Sequence, residues 1–198
     1  MNLRTCLLAV CLLALACNAA LAMNASESAN MKALIPGTAV PDLTFPTTEL
    51  TPAQAKDLGV AAGAPFKLDH VKADAVILVV YSMYCPFCQK EAPELVKLHE
   101  MIAQKGLADK VKLVGLGAGN SPFEVKVFRE KFNIGFALFP DQDFTAYKAL
   151  GQVGTPFYYL LKRSGAGFTV VGNQLGCVTS AQAYLDDALG RLGLGAGK

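Results

Sequence analysis

Cys85 and Cys88 are separated only by Pro86 and Phe87, a spacing at which two thiols can close a disulfide or exchange one with another molecule. The chemistry open to such a pair is two-electron transfer. One thiolate attacks a disulfide sulfur, and the second thiol then resolves the mixed disulfide that results. For this the first cysteine must ionise near neutral pH. At the N-terminus of a helix, Cys85 would meet the positive end of the helix dipole and unpaired backbone N–H groups, both of which favour its thiolate. Cys88, one turn further in, is less exposed and suits the resolving role. Pro86 fits a first helical turn because its missing N–H would have no partner there, and Phe87 adds no charge of either sign. The pair could also be half of a zinc site or a static disulfide. Zinc needs four ligands, and His70, His99 and Cys177 lack metal-motif spacing around it. No metal and no cofactor is expected.

The flanking sequence supplies the elements such a pair requires. Ala75–Ser82 is an apolar run without alternation, the pattern of a strand buried on both faces. After Cys88, a helix-compatible segment runs from Gln89 to Ile102, with Leu95, Leu98, Met101 and Ile102 at helical spacing, Pro93 predicting a kink and Gly106 an end. Further on, Val111–Leu116, Phe136–Phe139 and Phe157–Leu161 read as strands. Helices are predicted from Pro122 through Phe132, from Asp141 or Asp143 as cap to Leu150, and from Thr179 or Ser180 to Leu192. Arg163-Ser164-Gly165 reads as a turn leading to a hairpin partner at Phe168–Val171. Upstream, Leu43–Phe45 and Phe66–Leu68 are short extended pieces, and Thr51-Pro52 starts a short helix that stops at Gly59. Alternating strands and helices imply an α/β sheet covered on both faces, in one domain without internal repeats.

The chain has 198 residues, a hydrophobic fraction of 53% and a formal net charge of +2. Part of the apolar excess lies at the N-terminus. There Met1-Asn2-Leu3-Arg4 precedes the run Cys6–Ala16, and Ala20-Leu21-Ala22 offers a small-x-small cleavage site, the pattern of a secretory signal. The reading is a signal peptide at 1–22, a flexible leader at 23–34 and a folded domain at 35–198. Cys17, after Leu13-Ala14-Leu15-Ala16, is the minority alternative of a lipid anchor. Cleavage would remove Cys6, Cys11 and Cys17, and three remaining cysteines cannot form a disulfide scaffold. Loss of Arg4 leaves +1, which suggests no nucleic-acid partner. Cys177 is expected to be a buried small hydrophobe, or else a free thiol able to form a mixed or intermolecular disulfide. His70 and His99 are expected at the surface, and Asp141 and Asp143 as turn and cap residues.

These features together resemble the thioredoxin superfamily, and within it the exported thiol–disulfide oxidoreductases of the TlpA/ResA type. The resemblance rests on Tyr81-Ser82-Met83-Tyr84 leading into Cys85-Pro86-Phe87-Cys88, on Glu91 and Pro93 in the following helix, and on Gly154-Thr155-Pro156 before the hairpin. It covers about Val40 to Leu192. It implies a thioredoxin-like mixed sheet flanked by helices, with an N-terminal extension and an inserted βα unit. It also implies a cis bond at Pro156 beside Cys85, pairing of an extended substrate with Thr155, and Glu91 as proton acceptor for Cys88. Three departures stand out. Tyr84 occupies a place where the family commonly has Trp, Val79 the place of a buried aspartate, and Thr155 a place that is more often apolar in this branch and often Thr in disulfide isomerases.

The resemblance implies reduction of disulfides on other exported proteins, cytochrome c haem-site cysteines among them, with a membrane redox partner supplying electrons. Thr155 and the Cys-Pro opening keep a Dsb-type oxidase or isomerase in view. Ser82, three before Cys85, raises a peroxiredoxin, and a metallochaperone is the non-enzymatic alternative.

Overall fold

The computed structural model describes residues 31–46, 50–61 and 63–195; the expected signal peptide and Cys17 lie outside them. The fold is that of the unit beginning at Ala33. Its strands are β1 (Thr44–Phe45), β2 (Phe66–Lys67), β3 (Ala75–Tyr81), β4 (Val111–Ala118), β5 (Ala137–Asp141), β6 (Phe157–Ser164) and β7 (Gly167–Leu175). Its helices are α1 (Pro52–Leu58), α2 (Pro86–Gln104), α3 (Pro122–Phe132), α4 (Thr145–Ala149) and α5 (Ala181–Leu192).

A five-stranded sheet in the order β5-β4-β3-β6-β7 organises the unit. β3 pairs parallel with β4 and antiparallel with β6; β4–β5 is parallel and β6–β7 antiparallel. The sheet is therefore mixed, as expected. All seven residues of β3 are buried, which explains the unbroken apolar run: helices cover both faces. Ala75, Ile77, Val79 and Tyr81 face a layer built by α2, α3 and α5. Val76, Leu78 and Val80 face the opposite layer, which includes Leu43, Phe45, Leu58, Phe66 and Leu150. β1 and β2 pair antiparallel in the N-terminal extension, and β5 with α4 forms the inserted unit at the sheet edge.

Local chemistry sets the helix ends. Thr51 and Ser121 close reciprocal capping boxes with Gln54 and Glu124, and Ser180 caps α5, each satisfying N–H groups that a first turn leaves unpaired. Asp141 accepts from the N–H groups of Ala146 and Tyr147 at 3.0 and 2.8 Å, so it stabilises the start of α4. α2 begins at Pro86, three residues earlier than the periodicity marked, and continues through Pro93. Arg163 is not a turn residue. It lies in β6, its guanidinium donates to the carbonyls of Ala73, Val71 and Asp69, and the turn falls at Gly165, whose φ is +60°. At the end of the expected leader, the Leu34 N–H meets the Tyr159 hydroxyl at 3.2 Å.

Gly115 lets β4 run close beneath its neighbours. A Cβ there would lie 2.4 Å from Leu138 Cδ2 and 3.3 Å from Tyr81 Cε1. Gly115→Ala is expected to destabilise the fold by about 1–3 kcal/mol through overpacking, read as a lower urea midpoint at unchanged slope.

Candidate active site

β3 ends at Tyr81, and four residues later Cys85 occupies the N-cap of α2, with extended backbone. The connecting segment is pinned on both sides. The Met83 N–H donates to Asn120 Oδ1 and its carbonyl accepts from Gln89 Nε2, each at 2.9 Å. The Tyr84 hydroxyl donates to the Glu124 carboxylate, which also completes the Ser121 capping box. Asn120, Gln89 and Glu124 thus fix the approach to Cys85. Nothing in their type or spacing marks them in the sequence.

The two thiols occupy different environments. Cys85 is half-buried, Cys88 buried, and both are free. Burial alone would push the Cys85 thiol up. Hydrogen bonds from the Thr155 side chain, the backbone N–H groups of Cys88 and Phe87, and the Cys88 side chain outweigh it and bring Cys85 below the ordinary cysteine value. Burial pushes Cys88 up to about 12, with the neighbouring Cys85 adding to the rise and Ser82 and Thr155 opposing it. Iodoacetamide at pH 7 should therefore alkylate Cys85 at least about tenfold faster than Cys88. The Cys85 rate should level off below the ordinary cysteine range, while the Cys88 rate should still be rising at pH 10; equal rates would contradict this geometry.

Thr155-Pro156 has a cis peptide bond and directly precedes β6. The Thr155 carbonyl lies 3.2 Å from Cys85 Sγ. Three large apolar side chains are exposed on the segments that carry Cys85, Gly154 and the end of β7: Tyr84 at 66%, Phe87 at 63% and Leu175 at 53% exposure. Leu175 packs over Gly154. The sequence marked Pro86, Phe87, Thr155 and Pro156, but Leu175 is brought to the site only by the β6–β7 pairing.

Glu91 is 2% exposed, far from the surface position usual for a glutamate. Its Oε1 accepts from the Tyr158 hydroxyl and, at 2.9 Å, from the Val178 N–H. Burial and this carboxylate hold the Tyr158 phenol well above its usual value. Burial first, and then Glu91, push the Cys177 thiol above its usual value. Cys177 is half-buried, not enclosed as expected for a small hydrophobe, because the loop from β7 to α5 lies at the rim of the site. His99 packs its ring against Phe136, so it is half-buried, and burial lowers its pKa; His70 is exposed. Among the described residues no three His, Cys, Asp or Glu side chains are grouped as a metal site requires, and no helix is long and apolar enough to cross a membrane.

Known proteins resemble this chain in sequence and fold. The thiol–disulfide oxidoreductase ResA of Bacillus thuringiensis subsp. konkukian is 25% identical over 103 residues, 52% of this chain and 57% of that protein. The chain thus spans little more than half the length of the curated relatives it matches. Among solved structures, a putative thiol:disulfide interchange protein DsbE from Chlorobium tepidum has a TM-score of 0.62 at 18% identity, covering 81% of this chain and 99% of the other. A secreted Mycobacterium tuberculosis disulfide oxidoreductase homologous to E. coli DsbE has a TM-score of 0.51 at 22% identity, covering 66% and 89%. At these identities the structures establish a common fold, the thioredoxin-like mixed sheet. Residues 36–171 match the AhpC/TSA family; with well over half of the sequence in that match, the chain belongs to the AhpC/TSA family.

Proposed function

We propose that this protein is an exported thiol–disulfide oxidoreductase that reduces disulfides of other exported proteins through Cys85 and Cys88. The observation that carries the reading is the asymmetry of the pair. Cys85 sits at a helix N-terminus with its pKa lowered, and Cys88 is buried with its pKa near 12. One thiol is thus ready to attack, and the other is held protonated until a mixed disulfide forms beside it. The exposed Tyr84 and Phe87, beside Cys85 in the chain, and Leu175 over Gly154 suit an extended client segment carrying a cysteine, docked along Thr155-Pro156. Export is supported by the basic, apolar and small-x-small pattern of residues 1–22, and the reductant we propose is a membrane electron carrier, as the resemblance to the ResA type implies.

The direction of transfer is tested by equilibrating the protein with glutathione. A reductase should have a potential near that of thioredoxin, about −270 mV. A value near −120 mV, as in the most oxidising proteins of this kind, would replace the reductase reading with the Dsb-type oxidase that Thr155 keeps in view. Catalytic peroxide turnover surviving Cys88→Ser would instead favour a peroxiredoxin.

A further inference from the structure

The loop after β7 brings a third thiol to the pair. The Gly176 N–H donates to the Pro156 carbonyl at 2.8 Å, and the Val178 N–H to Glu91 Oε1 at 2.9 Å. Three residues on, the Ala181 N–H donates to Glu94 Oε2, also at 2.9 Å. Residues 176–181 are thereby fastened both to the Thr155-Pro156 segment and to the first turns of α2. Between two of these fastenings, Cys177 Sγ lies 3.5 Å from the carbonyl oxygen of Phe87, the residue between Cys85 and Cys88. Cys85 Sγ meets the Thr155 carbonyl while Gly176 meets the next one along, so the two cysteines flank the same two-residue segment. The Val178 bond holds the buried Glu91 carboxylate one residue along the chain from Cys177. The groups acting on Cys88 are instead Ser82, Thr155 and Cys85. A thiol beside a fixed carboxylate is the arrangement of a nucleophile with its base.

We propose that Cys177 is a third redox thiol of this site, resolving the mixed disulfide on Cys85 with Glu91 as its proton acceptor. The inference rests on the exchange reading above. Cys85 thiolate first attacks a client disulfide and releases one client thiolate. Glu91 then takes the Cys177 proton, and Cys177 Sγ attacks Cys85 Sγ. The Cys85–client S–S bond breaks, the Cys85–Cys177 bond forms, and the electron pair leaves on the second client sulfur. Two protein thiols are oxidised and one client disulfide is reduced, so no further oxidant or reductant enters. Attack by Cys88 on Cys85 would then move the disulfide to Cys85–Cys88 and regenerate the Cys177 thiol. Besides Glu91, the groups acting on Cys177 are Lys90 and Cys85, and Tyr158 of β6 faces it as well.

The test uses oxidised glutathione with two reduced variants, Cys88→Ser and Cys88→Ser/Cys177→Ser. In the double variant the Cys85–glutathione adduct should persist. In Cys88→Ser it should disappear about tenfold faster or more, with a Cys85–Cys177 disulfide recovered by peptide mapping. That bond requires the two Cα atoms to come within about 7 Å. Adding Glu91→Gln to Cys88→Ser should slow the release near neutral pH and make it rise more steeply with pH, because the Cys177 thiol must then lose its proton to solvent. An adduct equally long-lived in both variants, with no Cys85–Cys177 peptide, would overturn the proposal and leave the exchange reading standing. Failure of Cys85 to form any adduct in either variant would overturn both.

Discussion

Cys85→Ser is expected to lower the rate of disulfide reduction by about a thousandfold or more while leaving the fold unchanged. The environment of Cys85 is built to hold an anion. The Thr155 side chain and the backbone N–H groups of Phe87 and Cys88 all converge on its sulfur. A serine hydroxyl in the same place could accept these hydrogen bonds but would not ionise near neutral pH, so the site would keep its shape and lose its nucleophile. Because position 85 is half-exposed, stability should change by no more than about 0.5 kcal/mol. Cys88→Ser should behave differently, retaining the first attack on a disulfide while slowing steady-state turnover. Single-turnover and steady-state assays with a small disulfide separate the two. A Cys85→Ser protein keeping more than about a tenth of the rate would remove Cys85 from the chemistry.

The second large effect falls on stability. Glu91→Ala should destabilise the protein by roughly 3–5 kcal/mol, because it strips the acceptor from two buried donors at about 1–3 kcal/mol each and leaves a small cavity. Those donors are the Tyr158 hydroxyl and the Val178 N–H. Glu91→Gln keeps an acceptor oxygen and should cost only about 1 kcal/mol. Urea unfolding of the three proteins checks the order. An Ala variant as stable as the Gln variant would mean that the carboxylate holds nothing together.

Much of the fold was legible because its signals are local. Thr51 and Ser180 announced their helices through side chains that cap the following turn, Pro122 marked the start of another, and β3 announced itself by an apolar run that only two-sided burial explains. Strand direction was less legible, since the periodicity of Phe157–Leu161 is the same whether β6 runs with β3 or against it. At the site, Cys85, Cys88, Pro86, Phe87 and Pro156 could be marked because they are near in sequence or stand in a recognisable motif. Asn120, Tyr158 and Leu175 could not, since each arrives through pairing or packing across the chain: the Met83 bond to Asn120 spans 37 positions, and the Tyr158 bond to Glu91 spans 67. Cys177 was visible as a residue but not as a neighbour of Glu91. The resemblance marked Glu91 as a proton acceptor for Cys88, but its bonds to Tyr158 and Val178 could be seen only in the fold.

A single buried ammonium group ties the N-terminal extension into the domain. Lys112 enters β4 beside Val76 with its side chain only 3% exposed, and its Nζ is met at 2.6 Å by Asp57 of α1. Nearby, Gln54 of the same helix donates to the carbonyls of Gly135 and Phe136. A proteolytic cut after Gly59 that released the upstream segment would strand a buried cation without its counter-ion and uncover the sheet face that Leu58 and Phe45 shield. The short helix far upstream of the cysteines is therefore integral to the domain, as are Leu43 and Phe45 before it, and trimming toward the motif from that side must stop before Leu43.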